Sequence, residues 1–596
     1  MRDRHFVAIC RELVENPTAT QRELAANCGL SLGLINGTIK ECLAVGYLLQ
    51  NERRQLILTG EGLARLETFR VKNAIILAAG FGSRCVPLTY ETPKGLLEVY
   101  GEPMIERQIK QLIEKDITDI IIVVGYKKEK FDYLIDKYGV RLIYNPEYAT
   151  KNNLASLYRV LGELSRSYIL VSDLWMKKNI FHTYEAHSWY GCRRFAGPTD
   201  EWCVTVSKTE KMETLTVGGH DAWGILGPVY FSPAFSETLK GYMDEYYNRP
   251  GTGDFYWEHI LKDHLSELPI YMNRQDSNVY EFENLEELRA FDPSYSTATN
   301  SKIMQTIAKA YGISEGEVED ILPVKLGMTN RSFTFRYGGV RYIMRIPGEG
   351  TGHVIDRKQE YDVYKALPRE ICEEIKYISP KSGYKIAVFL EGARVCDPQN
   401  TDDVKACMKR LRDFHALKLT VDHTFDPFGR LQFFEELWPQ HTSYFPDYEK
   451  TKQNVIRLKP YIDSLEKELV LSHIDAVPDN FLFVEKDGGE EVKMMDWEYA
   501  GMHDPHIDIA MFAIYSLYDR RQTDELIDIY FDGECSGETR LKIYAYMAVC
   551  GLLWSNWCEY KNQTGGVEFG EYALRQYRYA KDYYRIFADN ADNIEN

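Results

Sequence analysis

No Cys-x-x-Cys pair and no metal-ligand spacing occurs among the twelve cysteines, so the sequence gives no sign of a zinc ribbon or a disulfide framework. The thiols are expected to be buried groups of a reducing compartment. No stretch approaches about 18 uninterrupted apolar residues, and no membrane insertion is expected. The opening MRDRHF is charged where a secretory signal would be apolar, which makes a cytoplasmic location the expectation. Positive charge is scarce: 71 Lys and Arg stand against 89 Asp and Glu, a net charge of −18. That balance argues against a chain built mainly to coat nucleic acid or an anionic membrane, and small, partly cationic ligands fit it better.

What is present is the composition of an ordinary globular protein, 44% hydrophobic and 27% charged, so large disordered regions are not expected. The 42 tyrosines suit stacking or cation-binding pockets. At 596 residues the chain is too long for one core, and three modules are expected. Residues 1–70 read as three short helices and a hairpin, with Thr20 and Ser31 as N-caps and a recognition-type helix from Leu32 to Val45. This pattern resembles a winged helix-turn-helix. Its nine Lys/Arg against eight Asp/Glu, with Lys40 the one cation of the recognition helix, leave two readings open, DNA binding or a dimerisation and docking module.

Residues 73–290 open on NAIILAAG, an apolar strand running into a glycine-rich turn; DIIIVVGY and SYILVSD follow with helical patterns between them. A Rossmann-like α/β sheet is expected, with ligands at the carboxyl ends of its strands. The turn continues as LAAGFGSRCVPLTYETPK, residues 77–94. Its glycines Gly80 and Gly82, together with Ala79, let backbone N–H groups approach a triphosphate. Arg84 can pair with the terminal phosphates, and Lys94 can neutralise charge on the attacked phosphate.

The spacing G-x-G-x-R-x-x-P-x-T-x-x-x-P-K resembles the nucleotidyltransferases that make nucleotide sugars and CDP-alcohols. NPEYATKNNLASLY, DEWCV and FYWEHI bring it nearest to the bacterial phosphocholine cytidylyltransferases. The resemblance implies CTP as co-substrate and Asp173 as a Mg²⁺ ligand. A second metal carboxylate is implied from an E-x-D element, matched here by Glu281-Phe282-Glu283, with Glu283 in the family's Asp position. It implies Asn152 and Asn153 on the nucleotide side, and Trp202, Tyr256, Trp257, Glu258 and Glu281 around a quaternary ammonium. Core packing is the alternative for each tryptophan.

DPSYSTATNSK, residues 292–302, reads as a linker. Residues 303–590 then suggest a kinase-like α+β fold. Gly327 to Asn330, including Thr329, would flap over ATP phosphates, and Arg345 would touch them, oriented by Glu360. In HIDAVPDN, Asp475 can take or orient a hydroxyl proton, Asn480 can bind Mg²⁺ and His473 can brace the loop. Asp496 in MDWEYA stands where a second metal ligand belongs. The set resembles the choline/ethanolamine kinases. That implies ATP as co-substrate and Glu498, Tyr499, Trp554 and Trp557 around the choline ammonium, with core packing again the alternative for the tryptophan pair.

Taken together, these resemblances imply an enzyme that phosphorylates choline and then joins phosphocholine to CMP from CTP. Two alternatives stay open. One keeps both chemistries but uses ethanolamine, another amino alcohol or a sugar phosphate. The other is a metabolite-sensing transcriptional regulator.

Overall fold

The computed structural model describes residues 2–324, 330–348, 351–486, 488–564 and 569–594. The chain divides into two compact units, Met1–Glu317 and Val318–Asn596.

The first unit begins with the winged helix. Thr20 accepts from Glu23 N while the Glu23 side chain accepts from Thr20 N, a reciprocal box that starts the helix Gln21–Asn27. Ser31 caps Leu32–Ala44 through Leu34 N. The wing is short, Leu48–Gln50 paired with Leu56–Leu58. Where the sequence suggested that the module ends with the hairpin, a further helix, Gly60–Glu67, follows, capped by Thr59. Gly62 permits it, because a Cβ there would meet Tyr47 O at 2.1 Å. The core of this module is completed from outside residues 1–70: Tyr184 is buried within it and its hydroxyl donates to Glu67 at 2.7 Å.

The transferase sheet is mixed. Ser167–Val171, Asn73–Ala78 and Ile120–Val124 lie parallel at its centre, apolar and mostly buried as two-sided strands must be, and Arg141–Tyr144 adds a parallel, more exposed strand at one edge. Antiparallel strands from Trp189 to Phe231 extend the other edge. Residues 292–302, expected as a linker, are packed. Asp292 accepts from Tyr100 N at 2.6 Å, Tyr295 OH donates to Glu98 O at 2.6 Å, and Ser301 donates to Glu91 at 2.5 Å. The helix Lys302–Tyr311 belongs to this same unit.

The second unit has a five-stranded antiparallel sheet in the order Glu319–Val324, Asn330–Tyr337, Val340–Pro347, Lys385–Val388, Ile375–Ile378. A helical region follows, around the 28-residue helix Gly537–Thr564, most of which is buried. Gly327 and Thr329 lie outside the described residues. No disulfide joins any of the twelve cysteines, ten of which are buried. Among the described residues no helix is long and apolar enough to cross a membrane.

Candidate active sites

In the first unit, the buried strand Asn73–Ala78 delivers the signature loop to the carboxyl edge of the sheet. Gly82 has φ +71°, and a Cβ there would lie 3.1 Å from Lys94 Cβ. Glycine therefore lets the loop close over the lysine. Lys94 Nζ donates to Asp173 at 2.5 Å and lies 3.8 Å from Glu281. Burial alone would lower this ammonium, but Asp173 and then Glu281 hold it above its ordinary value. Enclosure in the cleft and the neighbouring Asp173 charge hold Glu281 well above the usual carboxylate range.

The two carboxylates of the Glu281-Phe282-Glu283 segment are placed differently from the expectation. Glu281 pairs with Leu174 across the strand Val279–Glu281, next in sequence to Asp173. Glu283 lies beyond that strand and is drawn 2.7 Å from Arg84 Nη1. Glu281 is therefore the carboxylate that faces Asp173.

Ala79, Gly80, Gly82, Asn152 and Asn153 line one cavity of about 480 Å³ together with Arg84, Lys94 and Asp173. Trp202, Tyr256, Trp257, Glu258 and Glu281 line an adjoining cavity of about 1070 Å³. Asn153 spans the two: its amide carbonyl accepts from Trp257 N at 2.9 Å and its amino group donates to Glu258 at 3.4 Å. Trp257 is buried, 9° from parallel with Tyr190, and forms the back wall. Tyr190 OH donates to Glu258 at 2.9 Å, and burial pushes Glu258 up to about 7. The sequence carried no signal for Tyr190. Glu201, which also lines the larger cavity and is raised by burial and then by Glu283, sat unremarked inside DEWCV. The arrangement can hold phosphates against Lys94 and Arg84 and a cationic group against aromatic rings and carboxylates.

In the second unit, Arg345 on the strand Val340–Pro347 reaches Glu360 at 2.6 Å and Asp496 at 3.3 Å. Asp475 accepts from Asn480 Nδ2 at 3.2 Å. Burial, then the charges of Asp496 and Glu498, push Asp475 up to about 8. The loop is pinned from behind. Asp508 accepts from His473 N at 2.9 Å and Ile474 N at 2.7 Å and lies 2.9 Å from His415 Nε2. These bonds hold β-branched Ile474 at φ +69°, a strained conformation. His473 is fully buried, its ring 4.3 Å from Trp497 and its Nε2 2.9 Å from Met495 O. Its ring is thus packed inside the fold behind the loop.

Tyr499 meets Trp554 at 90° and 5.3 Å, and Trp554 lies 6.0 Å from Trp557. Tyr515 and Tyr572 stand 5.9 Å apart, with Tyr515 OH donating to Asp479 at 2.6 Å. Glu498 does not project toward these rings as an unengaged carboxylate; it accepts from Arg357 at 3.2 Å and Asn330 at 3.3 Å.

Among the described residues, no three His, Cys, Asp or Glu side chains converge as a ready-made metal cluster. The oxygen donors do suit a hard divalent cation. Asp475 is raised by the like charges of Asp496 and Glu498, and Asp173 and Glu281 oppose each other across Lys94; in each cleft a cation would relieve the repulsion.

Three family models match the chain in order: winged helix-turn-helix DNA-binding at residues 7–48, MobA-like NTP transferase domain at 74–174, and choline/ethanolamine kinase at 321–532. The choline-phosphate cytidylyltransferase of Streptococcus pneumoniae is 38% identical over 220 residues, covering 37% of this chain and 96% of that protein. The 2-aminoethylphosphonate cytidylyltransferase of Lancefieldella rimae is 36% identical over 228 residues, 37% of this chain and 93% of that protein. Protein LicA of Haemophilus influenzae is 26% identical over 267 residues, 42% of this chain and 96% of that protein. The chain thus joins a nucleotidyltransferase and a kinase on one polypeptide behind a winged helix, and it belongs to the family of bacterial choline-phosphate cytidylyltransferases.

Proposed function

We propose that the chain makes CDP-choline in two steps, phosphorylating choline in the second unit and cytidylylating phosphocholine in the first. One observation carries the reading. Beside the Lys94–Asp173 pair lies a cavity walled by aromatic rings and by Glu201, Glu258 and Glu281, suited to a small cation that carries a phosphate. A sugar phosphate would leave these carboxylates facing neutral hydroxyls.

In the kinase step the choline oxygen attacks the γ-phosphorus of ATP, ADP leaves, and Asp475 orients the hydroxyl and takes its proton. Arg345 meets the nucleotide phosphates, and Tyr499, Trp554 and Trp557 enclose the ammonium. In the transferase step an oxygen of phosphocholine attacks the α-phosphorus of CTP and pyrophosphate leaves. Lys94 balances the charge that develops there, Arg84 holds the terminal phosphates, and no covalent nucleophile is needed. Asp496 with Asn480, and Asp173 with Glu281, would hold Mg²⁺, which when bound neutralises nucleotide phosphate charge. The winged helix exposes Lys40 on its recognition helix and Arg53 and Arg54 at the wing tip, and we assign it to DNA binding or self-association.

The relative acting on 2-aminoethylphosphonate makes a primary amine the rival headgroup. The kinase domain favours a phosphate ester, because phosphorylating a hydroxyl cannot yield a phosphonate. Comparing kcat/KM for phosphocholine, phosphoethanolamine and 2-aminoethylphosphonate tests this. Phosphocholine should lead by at least about tenfold, the scale of one cation–π contact in a desolvated site; a lead for either primary amine overturns the choline assignment.

Glu258 adds a pH signature. Burial pushes its carboxyl up to about 7, and it attracts the ammonium only when ionised. Transferase kcat/KM for phosphocholine should therefore rise with pH through about 7. Glu258→Gln should remove that limb while leaving KM for CTP within about twofold.

A further inference from the structure

Two arginines, not one, serve the carboxylates of the second unit. Arg345 reaches Glu360 at 2.6 Å, Asp496 at 3.3 Å and Glu498 at 3.6 Å. Arg357, on the same helix as Glu360, places its Nη1 3.0 Å from Glu360 and 3.2 Å from Glu498. Both guanidinium groups are buried, and both are seated on one turn. Gly383 O accepts from Arg345 at 3.2 Å. A Cβ on Gly383, where φ is +69°, would lie 2.7 Å from Arg357 Cδ.

The sharing has a consequence for nucleotide binding. Arg345 keeps Glu360 on Nη2 while it meets phosphates, so the hold it must loosen is that of Nη1 on Asp496 and Glu498, and a buried carboxylate stripped of its counter-cation is strongly disfavoured. Arg357 supplies that counter-cation to Glu498 and shares Glu360 with Arg345. We propose that Arg357 is a positioning residue of the kinase site, holding Glu360 and Glu498 together so that Nη1 of Arg345, still oriented by Glu360, is released to the ATP phosphates. It touches neither substrate; it acts through Arg345. The inference rests on the kinase reading of this unit but not on choline as the alcohol.

The test is equilibrium titration of the purified full chain with ATP, CTP being present to fill the other nucleotide site, alongside steady-state phosphorylation. Arg357→Gln should weaken ATP binding by at least about tenfold and raise KM for ATP by a similar factor, with KM for choline within about twofold. Gly383→Ala, which displaces the Arg357 stem, should shift the same two quantities in the same direction. Adding Glu498→Gln to Arg357→Gln removes one orphaned carboxylate and should recover part of the ATP affinity. An unchanged ATP affinity in a folded Arg357→Gln chain overturns the proposal, as does parallel weakening of ATP and choline. Should the unsubstituted chain fail to phosphorylate choline, the substrate reading fails, yet the ATP titration still decides for or against Arg357.

Discussion

Replacing Lys94 by alanine is expected to lower cytidylyl transfer by about 10²–10³-fold, the cost of removing one preorganised charge from a developing oxyanion. Lys94 is the cation set between Asp173 and Glu281, and its loss leaves those two carboxylates facing each other. Phosphate binding should suffer along with the chemistry. The same chain carries its own control, since phosphorylation in the second unit involves none of these residues. With choline, ATP and CTP supplied together, the variant should accumulate phosphocholine and form almost no CDP-choline, read by product separation over time. Equal loss of both reactions would mean that Lys94 matters for folding instead.

Asp475→Asn should produce the mirror image. Phosphorylation is expected to fall by about 10²–10⁴-fold, the range for loss of a positioned general base, while phosphocholine added from outside is still converted to CDP-choline. Burial and the charges of Asp496 and Glu498 push Asp475 up to about 8, and only its ionised form can take a proton. The kinase rate should therefore rise with pH along a limb at or below about 8, a cation at Asp496 moving the limb downward. A flat profile with full activity in Asp475→Asn would remove Asp475 from the mechanism.

The chemistry was most legible where it is local. Gly80, Gly82, Arg84 and Lys94 lie within 15 residues because a strand and the tight turn after it bring them together, and they line one cavity. The same holds for Asp475 and Asn480, whose hydrogen bond spans five residues. Residues that act across the fold were not legible. Tyr190 reaches Glu258 over 68 positions and Arg357 reaches Glu498 over 141; before the chain folds, each is one tyrosine or arginine among many. The exchange between Glu281 and Glu283 depended on where a three-residue strand ends, and strand ends are what sequence pattern fixes least. Residues 292–302 misled for a different reason. Asp292, Ser294 and Ser301 read as linker residues, yet their side chains supply hydrogen bonds that pack the segment. Tyr184 could not be assigned to the winged-helix core because it lies far outside residues 1–70.

The central claim is that one chain carries choline through both steps. A ³¹P NMR time course of the purified protein with Mg²⁺, ATP, CTP and choline tests it most directly. The account predicts that phosphocholine appears first and is then consumed as CDP-choline and pyrophosphate grow together. No phosphorus transfer to choline, with turnover of another amino alcohol under the same conditions, would contradict it.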